Sequence, residues 1–149
     1  MLKKLKKEDY DKLLNEQQNQ LKKLIDVNSS NDFDIFYAPS GSDLCYYPIM
    51  FSRIINPDQK IFSVVTCPEE LGTGSNTAIK GEYFFGINQF EENVVKNDII
   101  HQEIKIDQEA FPARDYQGNI LNHKTEILET IERKSLDNQV IANLVIGSK

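Results

Sequence analysis

Two runs constrain the fold more than anything else in this chain: Ile61-Phe62-Ser63-Val64-Val65 and Val140-Ile141-Ala142-Asn143-Leu144-Val145-Ile146. Neither alternates apolar with polar residues, so neither suits a sheet with one wet face. Such runs are those of strands covered on both faces, which in turn require helices between parallel strands. The segments between them supply those helices. Helical spacing or helix-start chemistry marks Asp43–Ile55, Ser75–Phe85 and His123–Lys134, and further apolar runs at Phe33–Tyr37, Lys60–Thr66 and Ile99–Ile106 read as strands. The order is β-α-β-α-β-α-β, which predicts an α/β domain with a parallel or mixed central sheet flanked by helices. Tyr37, Val64, Val65 and Leu144 are expected to be buried in it. Gln108 to Asn122, with its Pro and Gly and no periodicity, reads as a long loop.

Ahead of this domain, Leu2, Leu5, Tyr10, Leu13, Leu14, Leu21, Leu24 and Ile25 recur at helical spacing among Lys and Gln. Asp26 to Asp32 then carries turn chemistry. The chain therefore divides into an N-terminal amphipathic helix and turn over 1–32 and an α/β domain over 33–149. A length of 149 residues suffices for one real core. The net charge of −6 argues against a general nucleic-acid surface. The basic run Leu2-Lys3-Lys4-Leu5-Lys6-Lys7 lacks the apolar stretch of a signal peptide or membrane span. Cys45 and Cys67 have no metal-like spacing, which fits reduced thiols in a cytoplasmic protein. His101 and His123 stand apart from other ligands, and no metal site is expected.

The chemistry concentrates in Ala38-Pro39-Ser40-Gly41-Ser42-Asp43, where an apolar run turns through Ser-Gly-Ser into a helix. A helix start leaves backbone N–H groups without partners, Gly41 permits close approach of an anion, and serine hydroxyls add donors. The residues fit two readings: a phosphate cradle, or a plain turn capped by Ser42 or Asp43. Asp43 favours the helix dipole and holds the turn, since its carboxylate would repel an anion. A second glycine-rich helix start follows in Glu69-Glu70-Leu71-Gly72-Thr73-Gly74-Ser75. There Glu70 could orient a substrate and Ser75 add a donor, or the segment is a surface loop with Ser75 as cap. Arg114 with Asp115 reads as a loop ion pair or an anion contact.

With Ser40-Gly41-Ser42-Asp43 followed by an apolar helix ending Phe51-Ser52-Arg53, and with the loop Thr66–Ser75 after the next strand, the chain resembles part of the large domain of fold-type I pyridoxal-phosphate-dependent enzymes, the aminotransferase and decarboxylase superfamily. The resemblance implies pyridoxal 5'-phosphate as cofactor, with Ser40, Gly41, Ser42, Asp43, Glu70 and Ser75 at its site. It also implies an amino acid or amine substrate and a homodimer in the full-length enzyme. That chemistry uses a Schiff-base lysine and an acid at the pyridine nitrogen. Lys80 precedes the expected position and Lys149 is terminal, so no catalytic residue is assigned. The chain reads as a truncated fold-type I domain that keeps the phosphate turn and is catalytically silent alone. The alternative is a small stand-alone α/β domain that binds a phosphate-bearing ligand or a protein partner without catalysis.

Overall fold

The computed structural model describes residues 7–25 and 33–145. Two compact units divide the chain, Met1–Tyr37 and Ala38–Lys149. In the first, α1 (Lys7–Leu24) opens with Glu8 and Asp9 and closes with Lys22 and Lys23, charges that complement the helix dipole at both ends. One of its faces holds the segment Phe33–Tyr37: Gln18 Nε2 donates to the Ile35 carbonyl at 3.0 Å, and the Lys22 ammonium lies 5.3 Å from the Phe33 ring centroid. This contact corrects the expectation of a strand at Phe33–Tyr37, which forms no ladder. Tyr37, expected to be buried in the sheet, is 36% exposed because this segment lies outside it. The Asp26–Asp32 turn lies outside the described residues.

The second unit is a three-layer α/β structure. Its elements run α2 (Gly41–Leu44), α3 (Tyr46–Ile55), β1 (Lys60–Thr66), a 3-10 turn at Pro68–Glu70, α4 (Thr73–Ala78), β2 (Ile106–Phe111), α5 (Lys124–Ser135) and β3 (Asn138–Asn143). The sheet has the order β2-β1-β3, and both pairings are parallel, with Ile61 opposite Ile106 and Phe62 opposite Val140. Alternation along β1 supplies both cores. Ile61 packs with Tyr46 and Ile49 of α3, Ala78 of α4 and Ile104, while Phe62 and Val64 pack with Phe111 and against Ile127 and Ile131 of α5. Two-sided coverage is what the uninterrupted run of β1 demanded, and Val64 and Val65 are fully buried.

Three expected boundaries moved. Helix Asp43–Ile55 is broken at Cys45, because Pro48 lacks an N–H and crowds the carbonyl four residues back, that of Leu44. The expected helix Ser75–Phe85 runs from Thr73 to Ala78 only, since the chain turns at Gly81 with φ +72. A Cβ there would fall 2.8 Å from Ile104 Cγ2, so glycine is required twice over. The strand expected at Ile99–Ile106 instead begins at Ile106 and occupies residues first read as loop. The strand Ile106–Phe111 carries Asp107, Gln108 and Glu109 because it is a sheet edge, where charge is tolerated and discourages further pairing. The last strand stops at Asn143; Leu144 beyond it is 73% exposed, contrary to expectation, and Ile146 lies outside the described residues. The stretch after β2 is an ordered loop, in which Asp115 accepts from the N–H groups of Gln117 and Asn119, both at 2.8 Å. Asn119 and these N–H groups hold the exposed Asp115 carboxyl below its ordinary range. Among the described residues no helix is long and apolar enough to cross a membrane.

Candidate functional site

The chain passes from α3 into the amino end of β1, so the start of α3, with α2 before it, lies at the carboxyl ends of the parallel strands. The segment that leaves β1 at Thr66 and enters α4 lies at the same end. Carboxyl ends of parallel strands are where open α/β sheets bind ligands.

The first motif is a closed capping arrangement. The cap is Ser40 rather than the expected Ser42 or Asp43: extended at φ −148 and ψ 168, it is the N-cap of α2, and its Oγ accepts from the Asp43 N–H at 3.2 Å while donating to Asp43 Oδ2 at 2.6 Å. The Ser40 hydroxyl is therefore committed to Asp43. The N–H groups of Gly41 and Ser42, in the first turn, have no acceptor within the helix. A Cβ built on Gly41 meets nothing within 4 Å, so this side of the turn faces open space.

The second motif meets the first. Ser42 Oγ lies 3.2 Å from Ser75 Oγ, thirty-three positions on in the sequence, in a part-buried hydrogen bond. Gly74 makes that approach feasible, since a Cβ there would stand 2.7 Å from Ser42 Oγ and 3.3 Å from Phe84 Cδ2. α4 begins at Thr73 after Gly72, without a side-chain cap, so its first N–H groups lack helical acceptors as well. Beside the pair, the Cys45 thiol donates to the Gly41 carbonyl at 3.4 Å. Burial pushes this thiol up, and a hydrogen bond with Ser75 opposes the shift in part. Leu44, Cys45, Leu71, Ile79, Asn143 and Val145 line an adjoining, mainly apolar depression of about 270 Å³. Asn143 is fixed at its edge, donating to the buried Ser63 Oγ at 2.9 Å.

Ser42 and Ser75 are thus brought together, with Gly41, Ser40 and Asp43 on the same turn. Glu70 takes no part in these hydrogen bonds; it is exposed on the 3-10 turn, where its neighbour Glu69 accepts from the Ala113 N–H at 2.7 Å. That turn follows Cys67, which sits in the left-handed region at φ 47. Arg114 donates to the Gly118 carbonyl at 3.1 Å within its own loop. Lys80 is half-buried just past α4, and Lys149 is outside the described residues. Gly74 and Asn143 were not singled out from the sequence. The Gly-x-Gly spacing of Gly72 and Gly74 was the available signal for the former; nothing local marks the latter. Among the described residues no group of three or more His, Cys, Asp or Glu could hold a metal ion.

No protein-family model, no curated protein and no solved structure matches this chain.

Proposed function

We propose that this chain is part of a pyridoxal-phosphate-dependent enzyme acting on an amino acid or amine, and that the turn Ser40–Asp43 with Ser75 receives the phosphate of the cofactor. The observation that carries this reading is the Ser42–Ser75 pair, which gathers two glycine- and serine-rich helix starts at the carboxyl end of a parallel sheet. The donor set suits a phosphate monoester: the N–H groups of Gly41 and Ser42 and the hydroxyls of Ser42 and Ser75, with open space over Gly41. Asp43 stays out of contact with the anion and fixes the turn through Ser40. When bound, the cofactor supplies an electron sink for charge developing on the substrate. This chain's own part is to anchor and orient, with the depression lined by Cys45 and Asn143 bordering the space beside the phosphate end. Cys45 and Cys67 fit reduced thiols of a cytoplasmic enzyme.

A second reading draws on the closed Ser40–Asp43 cap, which satisfies the turn without any ligand. On that reading the chain is a small α/β binding or interaction domain. Thermal unfolding in the presence of pyridoxal 5'-phosphate, pyridoxal and inorganic phosphate separates them. The first reading expects stabilisation by pyridoxal phosphate and by phosphate, and little by pyridoxal, because a ligand raises stability only by binding the folded state. No stabilisation by either phosphate compound would refute it.

A further inference from the structure

The depression beside the paired serines has a chemistry of its own. Six of its eight lining residues are apolar, from Leu44 and Leu71 to Ile79 and Val145, and none is charged. The other two are Cys45 and Asn143. Burial pushes the Cys45 thiol up, so the lining stays neutral at neutral pH, and this thiol is taken up by the Gly41 carbonyl. The walls are held in place. Ile79 is almost fully buried, and Thr66 Oγ1 accepts from the Val145 N–H at 2.8 Å, which ties the chain beyond β3 to the end of β1.

Asn143 is the directed polar group of this surface. Its Nδ2 donates to Ser63 Oγ at 2.9 Å and reaches the Val64 carbonyl at 3.5 Å. A carbonyl only accepts, so this contact fixes which way round the amide lies. Ser63 is 1% exposed, so the group that holds the amide is itself buried. Among the described residues Asn143 Oδ1 has no hydrogen-bond partner, yet the buried unpaired side-chain atoms are Arg53 Nε, Gln108 Oε1 and His123 Nε2. Asn143 Oδ1 is therefore an open acceptor, oriented by the bonds of its own amide nitrogen, at the edge of a neutral apolar surface. Ligand sites combine apolar walls with a few fixed polar groups in this way. A charged group placed here would lose water and meet no counter-charge. A neutral donor would gain a hydrogen bond.

We infer that this depression binds a small, neutral, apolar group that carries one O–H or N–H and donates it to Asn143 Oδ1. In the proposed enzyme that group is the side chain of the substrate, which is then an amino acid or amine with an uncharged apolar side chain bearing one such donor. This assignment to the substrate rests on the cofactor reading; the chemistry of the depression does not.

The test is a titration of the isotope-labelled full chain, followed through its backbone N–H resonances, with para-cresol, toluene, benzoate and benzylamine. Para-cresol is expected to shift the signals of Leu71, Ile79 and Val145 and to bind about two- to tenfold more tightly than toluene, the range of one neutral hydrogen bond. Benzoate and benzylamine are expected to leave those signals in place. Asn143→Leu should remove the difference between para-cresol and toluene, a ratio read within one folded variant and so independent of any stability lost. Leu44→Asp, at an exposed position on the rim, should weaken both. Equal affinity of the parent for para-cresol and toluene, binding of either charged probe as tightly, shifts confined to other residues, or no shift with any probe would overturn the inference. Shifts of the same signals on raising the protein concentration, with none from the probes, would give the depression to a second copy of the chain and overturn it as well. The probes carry no phosphate, so stabilisation by phosphate without a response to para-cresol would sink this inference alone, and the reverse would sink the cofactor reading alone.

Discussion

Replacing Gly74 by alanine separates the fold from the site. The added Cβ falls 2.7 Å from Ser42 Oγ and 3.3 Å from Phe84 Cδ2. A serine hydroxyl is the end of a one-torsion side chain, so it turns to another rotamer and leaves Ser75. The lost hydroxyl pair is worth about 0.5–1.5 kcal/mol net. Alanine in place of glycine inside a helix returns about 0.5–1 kcal/mol. The two nearly cancel, and the stability measured by urea unfolding is expected to change by less than about 1 kcal/mol. Binding is not protected by that cancellation. A hydroxyl turned away from the cradle forfeits a hydrogen bond to a charged group, about 1.5–3 kcal/mol, which is about tenfold or more in phosphate affinity. Gly72→Ala is the control, since a Cβ there meets nothing within 4 Å. Isothermal titration with inorganic phosphate should then rank Gly72→Ala with the parent and Gly74→Ala well below both. Equal affinity of Gly74→Ala and the parent, or a loss of several kcal/mol in its folding stability, would refute the reasoning.

Asn143→Ala removes the partner of the buried Ser63 hydroxyl and should cost about 1–3 kcal/mol in denaturant unfolding. Tyr46 donates to the Glu82 carbonyl at 2.7 Å, and burial pushes its phenol up to about 12. The folded state therefore keeps this proton above the value of about 10 at which the unfolded chain releases it. The stability so contributed is present below pH ~10 and is lost as pH rises through the raised value. Absorbance titration of the phenolates should show one late tyrosine, absent in Tyr46→Phe. The thiol of Cys45, raised by burial, should alkylate more slowly at neutral pH than an unhindered cysteine, and faster once the protein is unfolded.

The sequence was legible where one physical cause dominated. β1 matched its expected limits because an apolar run of that length has only one comfortable place, the middle of a covered sheet. α5 matched to within a residue because its stripe of Ile127 and Ile131 packs on that sheet. Edges were harder. β2 exposes charges on a rim, so its pattern resembled a loop, while the apolar Ile99 and Ile100 were spent on turns around Glu82 and Gly81. Phe33–Tyr37 has the composition of a strand and yet packs along α1, a choice made by tertiary contact rather than propensity. At the site, a capped helix start at Ser40–Asp43 was readable from local rules, although the cap is Ser40 and not Ser42 or Asp43. Its meeting with Ser75 depended on a long-range approach that only the absent Cβ of Gly74 allows, and no local pattern encodes that distance.

The most direct measurement is the shift in melting temperature that inorganic phosphate and pyridoxal phosphate produce in the parent chain and in Gly41→Val. A Cβ at Gly41 meets nothing within 4 Å, so the substitution leaves the surrounding contacts in place while its branched side chain fills the open side over the turn. The account predicts a ligand-induced rise in the parent and a much smaller rise in Gly41→Val. Equal rises in the two proteins would place the anion elsewhere, and no rise in either would leave Ser40–Asp43 as a helix cap alone.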